Sequence, residues 1–298
     1  MTMHVDQVNV TTETVESLVR EQFSRWSGRT IRRVPSNGTV NAIFRIGDDL
    51  SARLPLRPAD PDEALAVLER EALASAELAR VSPFPVPEPV ALGEPGAGYP
   101  MPWSVQTWLP GTVASDADPS GSDAFAEDLA AFVAALRDTG TRGRVFDGDN
   151  RGGVLTDHDE WMATCFAQSE DLLDVPRLRR LWSRLRELPR TSADVMSHGD
   201  LIPGNVLVAG DRLCGVLDTG GFGPADPALD LVGAWHLLRT GPREVLRRAL
   251  GCDDLEWERG KAWAFEQAMG LVWYYVESNP PMSAMGRRTL ARLLESTG

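Results

Sequence analysis

The sequence predicts an α+β protein in which a small, β-rich N-terminal part is followed by a larger, mostly helical part. Segments in which apolar residues alternate, the pattern of half-buried strands, are concentrated in the first third of the 298-residue chain. Segments with apolar residues three and four apart, the pattern of helices, fill most of the remainder. The two parts meet near residues 106–111, where Pro110 and Gly111 stop the last strand of the first part.

The N-terminal part is expected to begin with a helix, a β-hairpin and a second helix. The segment TTETVESLVREQF (11–23) has threonines suited to capping and helical apolar spacing. In TVNAIFRIGDDLSARLP (39–55), two alternating segments flank a Gly-Asp-Asp turn at 47–49, which indicates a hairpin. The segment DPDEALAVLEREALASAELARV (60–81) is rich in strong helix formers.

Between this helix and the seam, proline and glycine dominate. The segment SPFPVPEPVALGEPGAGYP (82–100) is expected to be extended, with at most a short strand. The segment PWSVQTWLPGT (102–112) is expected to form a strand that stops at Pro110.

The C-terminal part is expected to be helical apart from one hairpin. The segment DAFAEDLAAFVAALRDTG (123–140) predicts an amphipathic helix; its apolar face would hold Phe125, Leu129, Phe132, Val133 and Leu136. NVLVAGDRLCGVLDTG (205–220) predicts the hairpin, and the last 50 or so residues are expected to be helical again.

Composition excludes several classes of partner and site. A net charge of −13 argues against nucleic acid and anionic membranes as partners and is compatible with a cationic ligand. Cys165, Cys214 and Cys252 are too scattered for a disulfide framework or a zinc site, so reduced thiols are expected. The N-terminus does not resemble a signal peptide, and no apolar run is long enough to span a membrane. We therefore expect a cytoplasmic protein.

The tripeptide Asp-Thr-Gly occurs twice, at 138–140 and 218–220, and raises the question of an aspartic protease. Such an enzyme needs two loop-borne carboxylates that share a proton. The first copy ends the predicted helix, with Gly140 in the usual C-terminal position, and only Asp218 follows a strand. A homodimer could supply two copies, but the chains of such enzymes are usually short. The protease interpretation is therefore disfavoured.

A second pattern explains Asp218 better. His198, Asp200 and Asn205 have the spacing H-x-D-x-x-x-x-N, and the predicted hairpin then leads to Asp-x-Gly, the order found in kinase-like phosphotransferases. Asp200 is the candidate base that aims a hydroxyl and takes its proton. Asn205 and Asp218 offer the oxygen ligands that Mg²⁺ prefers.

Two further points qualify this pattern. Gly220 and Gly221 are expected to let the backbone bend sharply after the metal ligand. The alternative is that His198, Asp200 and Asn205 are ordinary turn residues that satisfy backbone groups.

With these motifs the chain resembles the aminoglycoside phosphotransferase family, the kinase-like antibiotic phosphotransferases that include macrolide kinases. The resemblance runs from about residue 36 to 232; it is carried by GTVNAIFRIGDDLSARLP, PWSVQTWLPG, RGG (151–153), HGDLIPGNVLV, GVLDTGG and ADPALDL. It implies a two-lobed protein-kinase-like fold. Residues 1–105 would form an N-lobe with a five-stranded sheet, 106–111 a hinge, and 112–298 a helical C-lobe. It also implies ATP or GTP as phosphate donor, Mg²⁺, and a small hydroxylated acceptor.

The resemblance also suggests a nucleotide site. Its candidates are Ser36, Asn37 and Gly38 over the phosphates, Arg53 as the strand cation, Glu71 as its helix partner, and the backbone of Thr107 and Leu109 at the hinge. The sequence departs from the pattern in having one glycine in the phosphate-covering turn and Arg53 where many members have lysine. Periodicity does not choose between Glu69 and Glu71. Thr219 replaces the phenylalanine of protein kinases, and no Ala-Pro-Glu segment follows, so regulation by loop phosphorylation is not expected.

The sequence indicates the phosphate acceptor less specifically than it indicates the nucleotide site. Asp226 and Asp230 are expected to brace the catalytic loop. Acidic candidates for a polyamine acceptor are Asp157, Asp159, Glu160, Glu266 and Glu277; aromatic candidates for a macrolide wall are Trp161, Trp263, Trp273, Tyr274 and Tyr275. An aminoglycoside leads, followed by a macrolide and a non-antibiotic metabolite. The hypothesis of another class is a non-catalytic nucleotide-binding pseudokinase, which Arg53 and the single-glycine turn leave open.

Overall fold

The computed structural model describes residues 7–35, 40–148 and 150–295. The chain folds into two compact units. Unit 1 comprises Met1–Arg80, Pro85–Pro110 and Asp218–Gly220, and unit 2 comprises Val81–Phe84, Gly111–Leu217 and Gly221–Gly298. Within the described ranges, none of the helices is long and apolar enough to cross a bilayer.

Unit 1 is built on a five-stranded antiparallel sheet with strand order β1-β2-β3-β5-β4. Its elements are α1 (Thr12–Gln22), β1 (Ile31–Arg33), β2 (Asn41–Ile46), β3 (Leu50–Pro55), α2 (Pro61–Val81), β4 (Pro89–Gly93) and β5 (Trp103–Thr107). Both predicted helices, the hairpin and the five-stranded sheet are confirmed. The strand β5 ends at Thr107, earlier than the predicted stop at Pro110, although the Trp108 amide still donates to the Asp49 carbonyl at 2.8 Å.

The core of unit 1 follows from the alternation in β2, whose even-numbered residues are buried while the others are half-buried. Phe44 and Ile46 from this strand pack in one apolar cluster with Leu54 and Trp103, all of them without solvent exposure. Burying such side chains contributes about 1.5–3 kcal/mol each. The hairpin that carries Arg53 is therefore firmly held by the core beneath it.

Unit 2 contains most of the helices and two small sheets, β6-β8-β9 and β7-β10. Its elements are β6 (Thr112–Val113), α3 (Ala114–Ala117), α4 (Asp123–Asp138), α5 (Asp159–Gln168), α6 (Val175–Leu185), β7 (Val195–Ser197), β8 (Val206–Ala209), β9 (Arg212–Val216), β10 (Gly223–Ala225), α7 (Val232–Leu237), α8 (Thr240–Leu250), α9 (Asp254–Tyr274) and α10 (Pro280–Glu295). The predicted second hairpin is β8–β9, and the helical C-terminal region is α9 and α10.

The helix α4 confirms both predictions made for its segment. All five residues of the expected apolar face are buried. The helix ends at Asp138, and Gly140 follows with φ +68°, the left-handed conformation of a helix C-terminus. The first Asp-Thr-Gly is therefore a helix end, as the sequence predicts.

Candidate active site

The segment from His198 to Asn205 connects β7 to β8 and is held by side chains on both sides. The Asp230 carboxylate accepts the backbone N–H groups of His198 and Gly199, both at 2.9 Å. The His198 Nε2 atom lies 2.9 Å from the Leu217 carbonyl oxygen, so Nε2 carries the proton. Its Nδ1 atom then accepts the Asp200 amide at 3.3 Å. Asp230 thus braces the loop, as the sequence predicts.

Asp200 is oriented by three donors. Its Oδ1 atom accepts from Arg151 Nη2 at 3.1 Å and from Gln267 Nε2 at 2.6 Å. Its Oδ2 atom accepts from Asn205 Nδ2 at 2.9 Å. The Asp200 side chain is 33 % exposed, so the carboxylate is held in place and still reaches solvent. This is the arrangement that a general base requires.

Asn205 uses its amide nitrogen inside the loop. Besides Oδ2, its Nδ2 atom donates to the Asp200 carbonyl at 3.0 Å. The amide oxygen of Asn205 forms no hydrogen bond with the described part of the chain and is available to a cation. The Asn205 carbonyl accepts the Leu217 amide at 2.7 Å, which ties the loop to the end of the hairpin.

Two residues around Asp200 were missed by sequence reasoning. Arg151 begins the RGG segment (151–153), whose sequence does not indicate a role for it, and Gln267 lies in α9, where nothing in the local sequence distinguishes it. Gln267 continues into a buried chain of hydrogen bonds. Its Oε1 atom lies 3.0 Å from His236 Nε2, and His236 Nδ1 lies 2.9 Å from the Thr289 hydroxyl. Burial lowers the pKa of His236 to about 3, so the ring is neutral, with Nε2–H donating to Gln267.

In unit 1, Arg53 on β3 forms an ion pair with Asp218, with Nη2 2.7 Å from Oδ1. The Arg53 side chain is 15 % exposed and that of Asp218 is 48 % exposed. Asp218 has φ +58°, a left-handed conformation that aspartate tolerates better than most residues. Strained backbone of this kind is characteristic of functional sites.

Glu71 lies beside this pair. Burial raises the pKa of its carboxyl group, the charge of Arg53 opposes that effect, and the carboxylate of Asp218 adds to it. Glu69 is exposed and Glu71 is half-buried, so Glu71 is the glutamate that faces Arg53. The ion pair itself nevertheless forms between Arg53 and Asp218 rather than between Arg53 and Glu71.

The expected role of the two glycines after Asp218 needs correction. Neither Gly220 nor Gly221 has a positive φ; the residue that does is Asp218. A Cβ on Gly220 would lie 2.8–3.1 Å from side-chain carbons of Glu71, whereas one on Gly221 would come no closer than 3.6 Å to another atom. Gly220 is therefore needed for close packing, and not for a bend.

A cavity of about 230 Å³ in unit 1 adjoins the same residues. Its lining includes Arg53, Glu71, Ser75, Pro89, Val105 and Gln106. Small, partly apolar clefts with a few polar groups are the usual sites of small-molecule binding. The Ser75 hydroxyl accepts from Thr219 Oγ1 at 2.7 Å and ties the segment after Asp218 to α2.

The remaining candidates for nucleotide binding are at the end of β5 and in the phosphate-covering turn. The Thr107 amide donates to the Glu88 carbonyl at 2.9 Å, so its N–H group is already engaged. Leu109 is half-buried beyond the end of β5. Ser36, Asn37 and Gly38 lie outside the described residues.

Asp226 braces α9 rather than the catalytic loop. Its carboxylate forms a buried ion pair with Arg259 and accepts from Trp263 Nε1 at 3.0 Å. Both partners lie on α9, and the Asp226 amide donates to the Gly152 carbonyl at 2.8 Å. Trp263 is thus a core residue and does not line an acceptor site.

Some of the acidic acceptor candidates contact other side chains, and the others are exposed. Glu266 is buried, with Oε1 3.1 Å from His158 Nδ1, and Asp159 is ion-paired with Arg186. Asp157, Glu160 and Glu277 are exposed. Among the aromatic candidates, Trp161, Trp273, Tyr274 and Tyr275 form a continuous set with ring centroids 4.9–5.8 Å apart.

Comparison with known proteins agrees with these features. The model of the phosphotransferase enzyme family matches residues 30–263. No curated protein sequence matches the chain. Among solved structures, a GDP and kanamycin complex of APH(2″)-IIia is 17 % identical, with a TM-score of 0.73; the match covers 95 % of this chain and 99 % of that one.

Two further solved structures share the fold. A GDP complex of an aminoglycoside 2′-phosphotransferase-IIIa mutant is 17 % identical, with a TM-score of 0.70 and coverage of 97 % and 99 %. The macrolide 2′-phosphotransferase MphH from Brachybacterium faecium is 20 % identical, with a TM-score of 0.62 and coverage of 93 % and 97 %. At such identities the similarity concerns the fold alone. The predicted kinase-like α+β fold class is confirmed.

Proposed function

Because the chain belongs to the phosphotransferase enzyme family and is a small-molecule O-phosphotransferase, we propose that it transfers the γ-phosphate of ATP or GTP to a hydroxyl of an aminoglycoside antibiotic. The observation that carries the proposal is the Asp200 carboxylate, which accepts from Arg151, Gln267 and Asn205 inside the H-x-D-x-x-x-x-N segment. An ordinary turn residue does not need three side-chain donors converging on its carboxylate.

Asp200 would act on the acceptor hydroxyl. One carboxylate oxygen orients the O–H group toward the γ-phosphorus and takes its proton as the bond from the acceptor oxygen to that phosphorus forms. The bond from the γ-phosphorus to the β-phosphate oxygen breaks, and the nucleoside diphosphate leaves. Arg151 and Gln267 fix the plane of the carboxylate, so that little reorganisation is needed during the reaction. His236 and Thr289 act through Gln267 and are positioning residues.

The metal ligands we propose are Asn205 and Asp218. The Asn205 amide oxygen is the group left over once Nδ2 is used, and Asp218 has one carboxylate oxygen besides the one paired with Arg53. This donor set suits a hard, oxygen-loving cation such as Mg²⁺. When bound, Mg²⁺ would neutralise charge on the nucleotide phosphates.

Nucleotide binding is assigned to unit 1. The cavity beside Arg53 and Glu71 supports this assignment, with Arg53 offering its guanidinium to phosphate oxygens. The base would bind to backbone groups of Thr107 and Leu109, and because the Thr107 N–H is engaged, its carbonyl is the available group. Ser36, Asn37 and Gly38 remain the proposed phosphate-covering turn, and 106–111 the proposed hinge.

The aminoglycoside proposal rests on charge. The chain has a net charge of −13, and the exposed carboxylates among the acceptor candidates, Asp157, Glu160 and Glu277, would attract a polycation. The same charge argues against nucleic acid and anionic membranes as partners. The kanamycin complex among the similar structures is in keeping with such an acceptor. Cys165, Cys214 and Cys252 form no disulfide bond among the described residues, which is in keeping with a cytoplasmic enzyme.

The experiment is a coupled nucleotide-turnover assay with ATP and GTP on aminoglycosides, with the mass gain of one phosphate on the drug as confirmation. The Asp200→Asn variant should keep its melting temperature and nucleotide affinity while kcat falls by about 10²–10⁴-fold. Asp211→Asn, at the exposed turn of the β8–β9 hairpin, is the matched control and should turn over normally. Wild-type turnover in Asp200→Asn would refute the catalytic assignment.

A macrolide is the second candidate acceptor, and one observation favours it. Trp161 and Tyr274 are large aromatic side chains that remain 40 % and 42 % exposed, and they belong to the continuous aromatic set of the candidate site. Exposed aromatic surface of this kind suits an apolar ligand better than a polyamine. Turnover with macrolides and none with aminoglycosides would select the macrolide.

The same assay distinguishes a metabolite kinase from a pseudokinase. Nucleotide binding with no turnover on either drug class, followed by turnover on another alcohol, would indicate a metabolite kinase. Mg²⁺-dependent binding without transfer to any acceptor would favour the non-catalytic pseudokinase.

A further inference from the structure

Unit 2 contains a larger cavity, of about 720 Å³, to which the proposed phosphoryl transfer assigns no substrate, although the positioning residue His236 is part of its lining. It is lined by the segment around Asp118–Ser120, the beginning of α8 and the end of α10. Four arginines line it, namely Arg239, Arg243, Arg288 and Arg292, against two carboxylates, Asp118 and Glu295. A net-positive cavity is unexpected in a chain with a net charge of −13.

Arg243 is the most informative of these residues. Its side chain is buried, with 5 % exposure, and its Nε atom has no hydrogen-bond partner within the described residues. Its hydrogen bond from Nη2 to the Leu238 carbonyl is long, at 3.4 Å. Burial, and next the charge of Arg292, lower the pKa of Arg243 to about 10. Among the described residues no carboxylate contacts Arg243, and its guanidinium carbon lies 5.9 Å from the centre of the Trp235 ring. A buried cation without a counter-ion is costly unless an anion compensates it.

The first turn of α8 supplies further donors at the same place. This 11-residue helix begins at Thr240, which lines the cavity, and no side chain of the described residues caps its N-terminus. The Arg243 amide donates to the Arg239 carbonyl and position 242 is proline, so the N–H groups of Thr240 and Gly241 are the donors left over. The N-terminus of a helix attracts anions through such N–H groups and its dipole.

The other three arginines differ in how far they are engaged. Arg292 Nη1 donates to the carbonyls of Trp235 and His236, which gives it a structural role. Arg239 Nε donates to the Ser120 hydroxyl at 3.1 Å and its Nη2 to Asp118 at 3.4 Å, with about two-thirds of the Arg239 and Asp118 side chains exposed. Arg288 is exposed and forms no hydrogen bond or ion pair in the described part of the chain. Arg288 is therefore free to turn toward a ligand, whereas Arg239 would have to exchange its contacts with Ser120 and Asp118 for the ligand.

We propose that this cavity binds a phosphate-type oxyanion, held by Arg239, Arg243, Arg288 and the N–H groups of Thr240 and Gly241. Arginine matches the geometry of phosphate oxygens through paired N–H donors. The surplus of arginines would repel a polycationic acceptor, so this cavity is not the aminoglycoside site. Its volume leaves room for the rest of a phosphorylated small molecule.

The test is isothermal titration calorimetry on the full chain, at constant ionic strength and without divalent metal, with inorganic phosphate, pyrophosphate and ADP as probes. Pyrophosphate should bind saturably at one site and more tightly than phosphate. The double variant Arg239→Ala/Arg288→Ala should weaken pyrophosphate binding by about tenfold or more. Arg248→Ala, an exposed arginine on the same helix outside the cavity, should leave it unchanged.

The outcomes also separate the source of the phosphate group. ADP binding that persists in Arg53→Ala and is lost in the double variant would assign the site to a nucleotide phosphate, whereas binding of pyrophosphate alone would assign it to a free oxyanion. No saturable pyrophosphate binding, or equal weakening by Arg248→Ala, would overturn the proposal. So would loss of binding in Arg53→Ala with retention in the double variant, because the anion would then lie in the proposed nucleotide site.

Discussion

Three features of Asp218 bear on its proposed role as a metal ligand. It follows a buried strand, it has a left-handed backbone with φ +58°, and its carboxylate is paired with Arg53 at 2.7 Å. The pair holds the carboxylate in one orientation and balances the strained backbone. An arriving cation would have to share Asp218 with Arg53, which ties the affinity for metal to the position of the Arg53 side chain.

Gly220 provides a sharp test of this local packing. In Gly220→Ala the new Cβ would lie within 3.1 Å of the Glu71 side chain, so Glu71 or the segment after Asp218 must shift. We expect the Mg²⁺-nucleotide affinity to fall by about tenfold, because the segment that carries Asp218 must shift, and the melting temperature to fall by several degrees, because overpacking at one contact costs about 1–3 kcal/mol. Gly221→Ala, whose Cβ has ordinary contacts, is the control. Equal affinities for both variants and the wild type would contradict the packing role of Gly220.

The sequence predicted contacts between residues that are close together in the chain and missed contacts between residues that are far apart in it. Asp200 and Asn205 are five positions apart, so the motif alone brought them together. Arg151 and Gln267 reach the same carboxylate from 49 and 67 positions away. Contacts of that kind depend on how helices and loops pack, and no single-sequence pattern encodes them.

Among the helices and strands, those that periodicity predicts are the long ones. The helix α4 and the hairpins β2–β3 and β8–β9 carry enough alternating or helical positions to define their period. The strands β1, β7 and β10 have three residues each and do not define a period. The pairing of β7 with β10 is also non-local, since it joins segments on both sides of the second hairpin.

Three helices meet at His236, and their packing should make stability depend on pH. The ring is on α7, and its partners are Gln267 on α9 and Thr289 on α10. The folded-state pKa is lowered from 6.5 to about 3, so below about pH 6.5 the unfolded chain binds a proton that the folded chain does not. The stability that the protein gains by burying a neutral His236 ring is therefore present above pH 6.5 and is lost as the pH falls toward 3.

The measurement is urea unfolding of the wild type and His236→Asn near pH 7 and pH 5. Asparagine keeps polar groups at the site but does not titrate. Between the two pH values the wild type should lose about 2 kcal/mol more than the variant. The variant should be the less stable protein at pH 7, because its hydrogen bonds to α9 and α10 are poorer. Parallel pH profiles in the two proteins would show that His236 is not held neutral by folding.

At the scale of the whole molecule, the two units are not contiguous in sequence. Asp218–Gly220 belongs to unit 1, although the residues before and after it belong to unit 2. A division at one seam, such as residues 106–111, describes the chain only approximately. The sequence predicts the change from a β-rich to a helical part of the chain. It does not predict that Asp218–Gly220 belongs to unit 1, because that depends on the contacts of Asp218 with Arg53 and of Thr219 with Ser75.

The net charge of −13 makes a prediction that separates the two leading acceptors. If the acceptor is a polycationic aminoglycoside, kcat/KM should fall about tenfold or more as salt rises from about 0.02 M to about 0.5 M, because electrostatic attraction is screened. The value of kcat should change much less, since the bound acceptor is already in place. A macrolide carries little charge, so its kcat/KM should be nearly independent of salt. Turnover of an aminoglycoside with a flat salt profile would show that exposed carboxylates do not recruit it, and that contacts in a largely desolvated site supply the affinity instead.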